Sequence, residues 1–159
     1  MTIDYDPILD DVLVGTYPRD GDDVAYLRNA HAISAVLNLQ TDDDMQYWGL
    51  DWLHVASHYR QNRIEVARVP IRDFDPVDLR EKLEDAVHAL DTLLQHGHRV
   101  YVHCTAGVGR SPATVIAWLA WRRGWDLGDA VRHVMKQRVC APFVDAIRLA
   151  EEDRRAAPG

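Results

Sequence analysis

The sequence of 159 residues lacks several features that would place it in a broad class. It contains only two cysteines, Cys104 and Cys140, which are too few for a disulfide framework, so we expect a reduced, cytoplasmic protein. No apolar run approaches the roughly 20 residues of a membrane-spanning helix. Positive charge is also scarce, since the net charge is −7, and an acidic surface favours neither nucleic acid nor an anionic membrane. Any phosphate must therefore be bound by a local site.

Internal repeats, low-complexity tracts and linkers are also missing, so the length predicts a single domain over residues 1–159. The first six residues are acidic and poor in apolar side chains, which predicts neither a signal peptide nor a transit peptide. The hydrophobic content of 47% and the charged content of 27% are ordinary for a globular domain. We expect the protein to act as a monomer.

Short apolar stretches alternate with stretches of helical period. The strands are predicted at 11–15, 33–39, 64–69 and 100–103, and the helices at 21–30, 50–61, 110–123, 126–138 and from Pro142 onward. A further helix is predicted from a capping box with Asp78 as the cap to a stop at Gly97. This alternation predicts an α/β domain with a central, mostly parallel sheet and helices on both faces.

The most informative segment is 103–112, His-Cys-Thr-Ala-Gly-Val-Gly-Arg-Ser-Pro, between a predicted strand and a predicted helix. Backbone N–H groups converge at such a helix N-terminus, and Gly107 and Gly109 allow the backbone to turn around an anion. Arg110 can bind two phosphate oxygens at once. The residues expected to bind phosphate are Thr105, Ala106, Gly107, Val108, Gly109 and Arg110.

Cys104 is the predicted nucleophile of this loop. A thiol at a helix N-terminus beside an arginine can have its pKa lowered from about 8.5 to roughly 3.5–7.5, and the thiolate can then attack phosphorus in line. Ser111 can donate to the thiolate, and His103 is expected to hold the loop rather than act as a base. No metal or cofactor is expected. The alternative is a buried structural cysteine followed by an arginine at a helix start.

Cleavage of the phosphate ester of an alcohol also requires a proton for the leaving oxygen, which a carboxylic acid can supply. Asp73 and Asp75 lie in the loop after the predicted strand 64–69, which could reach over the phosphate loop. The residues alone do not choose between them, and both could be solvated loop or cap carboxylates. The acidic run 42–44 is interpreted as a solvated helix start.

The pattern His103-Cys104-x5-Arg110-Ser111 resembles the signature of the cysteine-dependent dual-specificity phosphatases. The loop Cys-Thr-Ala-Gly-Val-Gly-Arg is similar to that of the glucan phosphatases, which dephosphorylate starch or glycogen. Four further segments resemble the plant starch-excess type, namely Asn38-Leu39-Gln40, Tyr47-Trp48-Gly49-Leu50-Asp51, Asp73-Phe74-Asp75-Pro76, and Cys140-Ala141-Pro142 with Ala146-Ile147-Arg148.

The resemblance implies that Asp73 is the general acid. It also implies that four aromatic residues form a channel for a glucan chain, namely Tyr5, Tyr47, Trp48 and Phe74. Flat aromatic faces stack well on sugar rings, whereas the alternative is that Tyr47 and Trp48 plug the edge of the sheet. The uncharged residues inside the phosphate loop favour a monophosphate on a neutral polymer over a highly charged head group.

The expected function is therefore hydrolysis of phosphate monoesters on α-glucan through a phosphocysteine. One alternative is a phosphoprotein phosphatase with the same mechanism. The other is a module that binds phosphate without turnover.

Overall fold

The computed structural model describes residues 3–157. The strands of this part of the chain are β1 (Tyr5–Leu9), β2 (Val12–Gly15), β3 (Ala35–Asn38), β4 (Glu65–Arg68) and β5 (Val100–His103). The helices are α1 (Gly21–His31), α2 (Asp42–Tyr47), α3 (Trp52–Gln61), α4 (Pro76–Gln95), α5 (Arg110–Arg122), α6 (Leu127–Gln137) and α7 (Val144–Ala156). None of these helices is long and apolar enough to cross a membrane.

The strands form one sheet in the order β1-β2-β5-β3-β4. The pairs β2–β5, β3–β5 and β3–β4 are parallel, and only β1 runs antiparallel to its neighbour β2. In this register His103 pairs with Gly15 on one side and with Asn38 on the other. The carboxyl ends of the parallel strands therefore meet at one edge of the sheet, where α/β proteins place their ligands.

Helices cover both faces of the sheet, because both faces of the central strands are apolar. One face packs against α4, α5, α6 and α7, with Leu37 and Val102 in the contact. The opposite face packs against α1 and α3, with Val36 and Tyr101 in the contact. The predicted fold, a single α/β domain with a mostly parallel central sheet between helices, is confirmed.

The predicted start of α4 is wrong. The helix begins at Pro76, and its cap is Asp75, whose side chain accepts a hydrogen bond from the backbone N–H of Asp78. Asp78 is itself buried, accepts from the backbone N–H of Arg72 at 2.7 Å and pairs with Lys82 at 3.0 Å. A proline suits the first helical turn because no N–H is needed there, and this favours the earlier start.

Strand β1 was not predicted, and helix α2 was predicted only as a helix start at 42–44. Strand β1 contains Pro7, and it pairs along the edge of the sheet with β2. Helix α2 is six residues long and starts at a capping box between Thr41 and Asp44. Pro7 argues against a strand at β1 except at a sheet edge, and α2 is too short to show a helical period beyond its capping box.

Candidate active site

The phosphate loop, residues 104–109, joins the central strand β5 to the buried helix α5. Gly109 occupies the cap position, and no side chain accepts from the first N–H groups of α5. These donors are thus available to an anion lying in the loop. Gly107 has φ of +68°, and a Cβ atom there would come within 2.6 Å of the backbone oxygen of Gly15. Only glycine fits at this point of the turn.

The C-terminal part of the chain holds the outer side of this loop. Arg138 is buried and donates from Nε to the carbonyl oxygen of Gly107 at 2.7 Å and from Nη2 to that of Ala106 at 3.1 Å. The backbone N–H of Ala141 donates to the carbonyl oxygen of Val108 at 2.9 Å. Three consecutive carbonyl groups are therefore bound on the outside. This support was not predicted, because nothing in the sequence links Arg138 to a loop thirty residues earlier.

Cys104 is 3% exposed at the bottom of the loop, and its Sγ lies 3.2 Å from the hydroxyl oxygen of Ser111. The structure thus brings together the predicted nucleophile and the predicted donor. His103 Nδ1 donates to the carbonyl oxygen of Cys104 at 2.8 Å. Burial lowers the pKa of His103 to about 4, so its ring is neutral near pH 7. A neutral ring cannot provide charge beside the thiol, which leaves that role to Arg110.

The Arg110 side chain is only 4% exposed and lies across the open side of the loop. Its Nη1 donates to Asp44 Oδ2 at 2.6 Å and to the carbonyl oxygen of Ile71 at 2.7 Å. Its Nη2 lies 3.4 Å from Thr105 Oγ1, and its Nε is buried without a hydrogen-bond partner among the described residues. A buried donor without a partner is costly unless a ligand satisfies it. A phosphate oxygen would satisfy this one.

Asp44 was interpreted as part of a solvated helix start, and that interpretation is wrong. Its side chain is 19% exposed and faces Arg110. Partial burial alone would raise the pKa of Asp44, but the hydrogen bond from Arg110, the backbone N–H of Thr41 and the arginine's charge together lower it. The carboxylate is consequently ionised at neutral pH. The acidic run of 42–44 hid this residue, because its two neighbours are exposed.

The two candidate acids occupy different places. Asp75 caps α4 and lies 3.3 Å from Arg72 Nε, so its carboxylate is engaged in holding the helix start. Asp73 Oδ2 lies 3.3 Å from Arg110 Nη2, at the phosphate loop. Its Oδ1 accepts from the backbone N–H of Phe74. Of the two, Asp73 is the one that contacts Arg110, although both line the cavity beside Cys104.

A cavity of about 370 Å³ lies between the loop that carries Asp73 and the phosphate loop, with Cys104 in its wall. Most of its wall is apolar and comes from Phe74, Leu79, Val108 and Phe143, among others. Phe74 is 85% exposed and has φ of 55°, an uncommon conformation for a bulky residue. Phe143 was not predicted as a site residue, although it directly follows the recognised segment 140–142.

A second aromatic group lies near the phosphate loop. Tyr47 is 80% exposed and Trp48 is 51% exposed, which argues against a plug at the sheet edge. The Trp48 ring lies 6.0 Å from that of Tyr17, whose backbone N–H donates to the carbonyl oxygen of Thr105. Tyr17 was not predicted. Tyr5 lies apart from these residues and packs against α1, where its hydroxyl is 3.1 Å from that of Tyr26.

Comparison with known proteins places these features in a family. The catalytic domain of the dual specificity phosphatases matches residues 20–148. Phosphoglucan phosphatase DSP4 of Castanea sativa is 35% identical over 153 residues, which cover 95% of this chain and 40% of that protein. Phosphoglucan phosphatase LSF1 of Arabidopsis thaliana is 36% identical over 149 residues, which cover 94% of this chain and 25% of that protein. The chain thus spans less than half the length of either relative.

The crystal structure of Tk-PTP in the active form is similar with a TM-score of 0.76 over 96% of this chain and 97% of that chain. At 24% identity this likeness shows a shared fold. The family match covers most of the sequence, and it includes both the phosphate loop and the loop that carries Asp73. The chain therefore belongs to the dual specificity phosphatase family, through its catalytic domain.

Proposed function

We propose that this protein is a cysteine-dependent phosphatase that removes phosphate monoesters from α-glucan. The observation that carries the proposal is a phosphate loop with a buried Cys104 and a buried Arg110, together with exposed aromatic rings near that loop. Exposed rings at a catalytic site provide stacking surfaces for sugars. The two plant relatives, whose names specify phosphoglucan phosphatases, support the same substrate class.

In the proposed reaction, Cys104 Sγ attacks phosphorus, the Sγ–P bond forms and the ester P–O bond breaks. Asp73 gives its proton to the departing sugar oxygen, which leaves as a hydroxyl group. Asp73 then takes a proton from water, whose oxygen attacks phosphorus, and the S–P bond breaks. Ser111 donates to the released thiolate, and the backbone N–H groups with Arg110 hold the phosphate oxygens in both steps.

The aromatic residues would hold the polymer in this proposal. Trp48 contacts Tyr47 and lies near Tyr17, which binds the phosphate loop. Phe74 and Phe143 line the cavity that contains Cys104. A bulky residue with positive φ and an exposed ring is destabilising in the free protein, so Phe74 favours a ligand-binding role. Tyr5 contributes to the channel only if the glucan also extends toward α1.

The proposed location is the cytoplasm, supported by the two free thiols of Cys104 and Cys140, and the proposed state is a monomer. Neither affects the catalytic proposal.

The test compares phosphate release from phosphorylated amylopectin, a phosphotyrosine peptide and a phospholipid at matched enzyme concentration. The proposal expects the amylopectin to be the preferred substrate. A preference for the peptide would identify a phosphoprotein phosphatase with the same mechanism. No hydrolysis of any ester, aryl phosphates included, would identify a phosphate-binding module and overturn the catalytic proposal.

A further inference from the structure

The donors of Arg110 divide into two groups. A guanidinium has five N–H donors, two of which belong to Nη1. Both Nη1 donors are used, one by Asp44 at 2.6 Å and one by the carbonyl oxygen of Ile71 at 2.7 Å. Nε has no partner among the described residues, and Nη2 has only the longer contacts to Thr105 and Asp73. The edge formed by Nε and Nη2 is therefore left for two phosphate oxygens.

The position of Asp44 is itself fixed by the first turn of α2. Its Oδ2 accepts from the backbone N–H of Thr41 at 3.0 Å, and its own N–H donates to Thr41 Oγ1 at 3.1 Å. The bond from the Thr41 N–H restricts the carboxylate to one place and does not need the Thr41 side chain, whereas the Thr41 hydroxyl only caps the helix start. A side chain with a restricted carboxylate can in turn restrict the guanidinium that donates to it.

We propose that Asp44 is a positioning residue for the phosphatase reaction, which holds Arg110 so that its Nε–Nη2 edge faces the bound phosphate. The Ile71 carbonyl supplies the second fixed point, and two hydrogen bonds to one nitrogen define the plane of the guanidinium. Asp44 does not touch the phosphate in this arrangement. The proposal rests on phosphate chemistry in the loop but not on the glucan substrate.

Two other roles for Asp44 would give different results. As a helix cap alone, it would act through the stability of α2, and removal of the Thr41 hydroxyl would have the same effect. As a source of negative charge alone, it would weaken phosphate binding, so its neutralisation would tighten the binding of anions. A positioning role predicts weaker phosphate binding after neutralisation, because Arg110 without its partner would leave the geometry in which it binds two phosphate oxygens.

The experiment compares Asp44→Asn with two matched controls in the full chain. Asp43→Asn removes the same charge from the same helical turn, and Asp43 is exposed. Thr41→Ala removes one half of the capping box and leaves the contact with Arg110. The measurements are kcat and KM on a small aryl phosphate, the dissociation constant of inorganic phosphate, and the melting temperature.

The expected result for Asp44→Asn is weaker binding of inorganic phosphate by about tenfold and a fall in kcat/KM of about tenfold or more, the usual size for one charged hydrogen bond. Asp43→Asn and Thr41→Ala should stay within about twofold of the unmodified protein in both quantities, although Thr41→Ala should melt lower by loss of a cap. Unchanged or tighter phosphate binding in Asp44→Asn overturns the proposal. Equal kinetic losses in Thr41→Ala also overturn it.

If Asp44→Asn does not fold, Asp44→Glu decides the question. The glutamate keeps the charge but moves the carboxylate outward by one methylene. The proposal expects weaker phosphate binding in this variant too, and unchanged binding overturns it. Phosphate binding is measured at equilibrium, so it tests Asp44 even if the unmodified protein hydrolyses no glucan. Failure of the glucan proposal is therefore distinguishable from failure of this one.

Discussion

Substitutions at Asp73 and Asp75, two residues apart, should have different effects: the first on the reaction rate and the second on the stability of the fold. Asp73→Asn removes the proposed acid, whose Oδ2 lies 3.3 Å from Arg110 Nη2. Asparagine keeps an oxygen that can accept from the N–H of Phe74, so the loop should keep its shape. Asp75→Ala removes the cap of α4 and leaves the proposed chemistry intact.

The magnitudes follow from these contacts. Loss of a general acid costs on the order of 10²–10⁴-fold in rate, so Asp73→Asn should slow hydrolysis of a sugar phosphate by that factor. Loss of an N-cap costs about 1 kcal/mol, and the partly exposed pair with Arg72 adds about 0–1 kcal/mol. For a chain of this size, 1 kcal/mol corresponds to roughly 2–4 °C in melting temperature. Asp75→Ala should therefore melt a few degrees lower and keep most of its activity.

The assay measures kcat on a sugar phosphate and on an aryl phosphate with an acidic phenol, together with the melting temperature. The Asp73→Asn defect should shrink on the aryl ester, because that leaving group departs without a proton. Asp75→Asn is the matched control, since asparagine caps a helix about as well as aspartate. A larger rate loss in Asp75→Ala than in Asp73→Asn, or an equal loss on both esters, would show that the acid has been misplaced.

Three further predictions follow from the same geometry. Cys104→Ser should lose essentially all turnover yet still bind inorganic phosphate or tungstate, and the unmodified protein quenched during turnover should carry a phosphocysteine; substantial residual turnover in the serine variant would contradict the assignment. Trp48→Ala and Phe74→Ala should each lower glucan dephosphorylation by about tenfold or more, or roughly 1.4 kcal/mol, with much smaller losses on an aryl phosphate and little change in melting temperature. Equal losses on both substrates would instead mean that these rings shape the catalytic loop. Burial lowers the pKa of His103 from 6.5 to about 4, so the unfolded chain binds a proton that the folded chain excludes, and the free energy of unfolding should fall by up to roughly 3 kcal/mol between pH 6.5 and 4. Urea titrations across this range should show the slope, and His103→Gln should reduce it.

The sequence predicts those features that depend on local patterns of residues along the chain. A strand, a glycine-containing loop and a helix start make a phosphate site by backbone geometry alone, so Cys104 and Arg110 could be placed without the structure. The alternation of elements likewise predicted the parallel sheet. In these cases the signal lies within a single segment of the chain.

The remaining features depend on contacts between distant segments. Asp44 looks solvated in the sequence, and only the fold brings it to a guanidinium 66 residues further along the chain. Arg138 reaches the loop carbonyls in the same way. The cap of α4 was misplaced for a different reason, since Asp75 and Asp78 both suit a cap and only Pro76, directly after Asp75, favours the earlier start. Tertiary contact decides the roles of Asp44 and Arg138.

The charges around the phosphate loop bear on the choice of substrate. His103 is neutral, Arg110 is paired with Asp44, and the residues between Cys104 and Arg110 are uncharged. The protein as a whole is acidic, with a net charge of −7. Attraction for an anion must therefore come mainly from aligned backbone N–H groups and one bidentate arginine edge, which match a single phosphate group. Additional phosphates on the same ligand would meet a mostly apolar and aromatic wall, in which Arg72 is already paired with Asp75. Such a site favours an isolated monoester on an uncharged polymer over a densely phosphorylated head group. Helix α2 contributes to both phosphate binding and polymer binding in this proposal, because it carries Asp44 in its first turn and Tyr47 at its end.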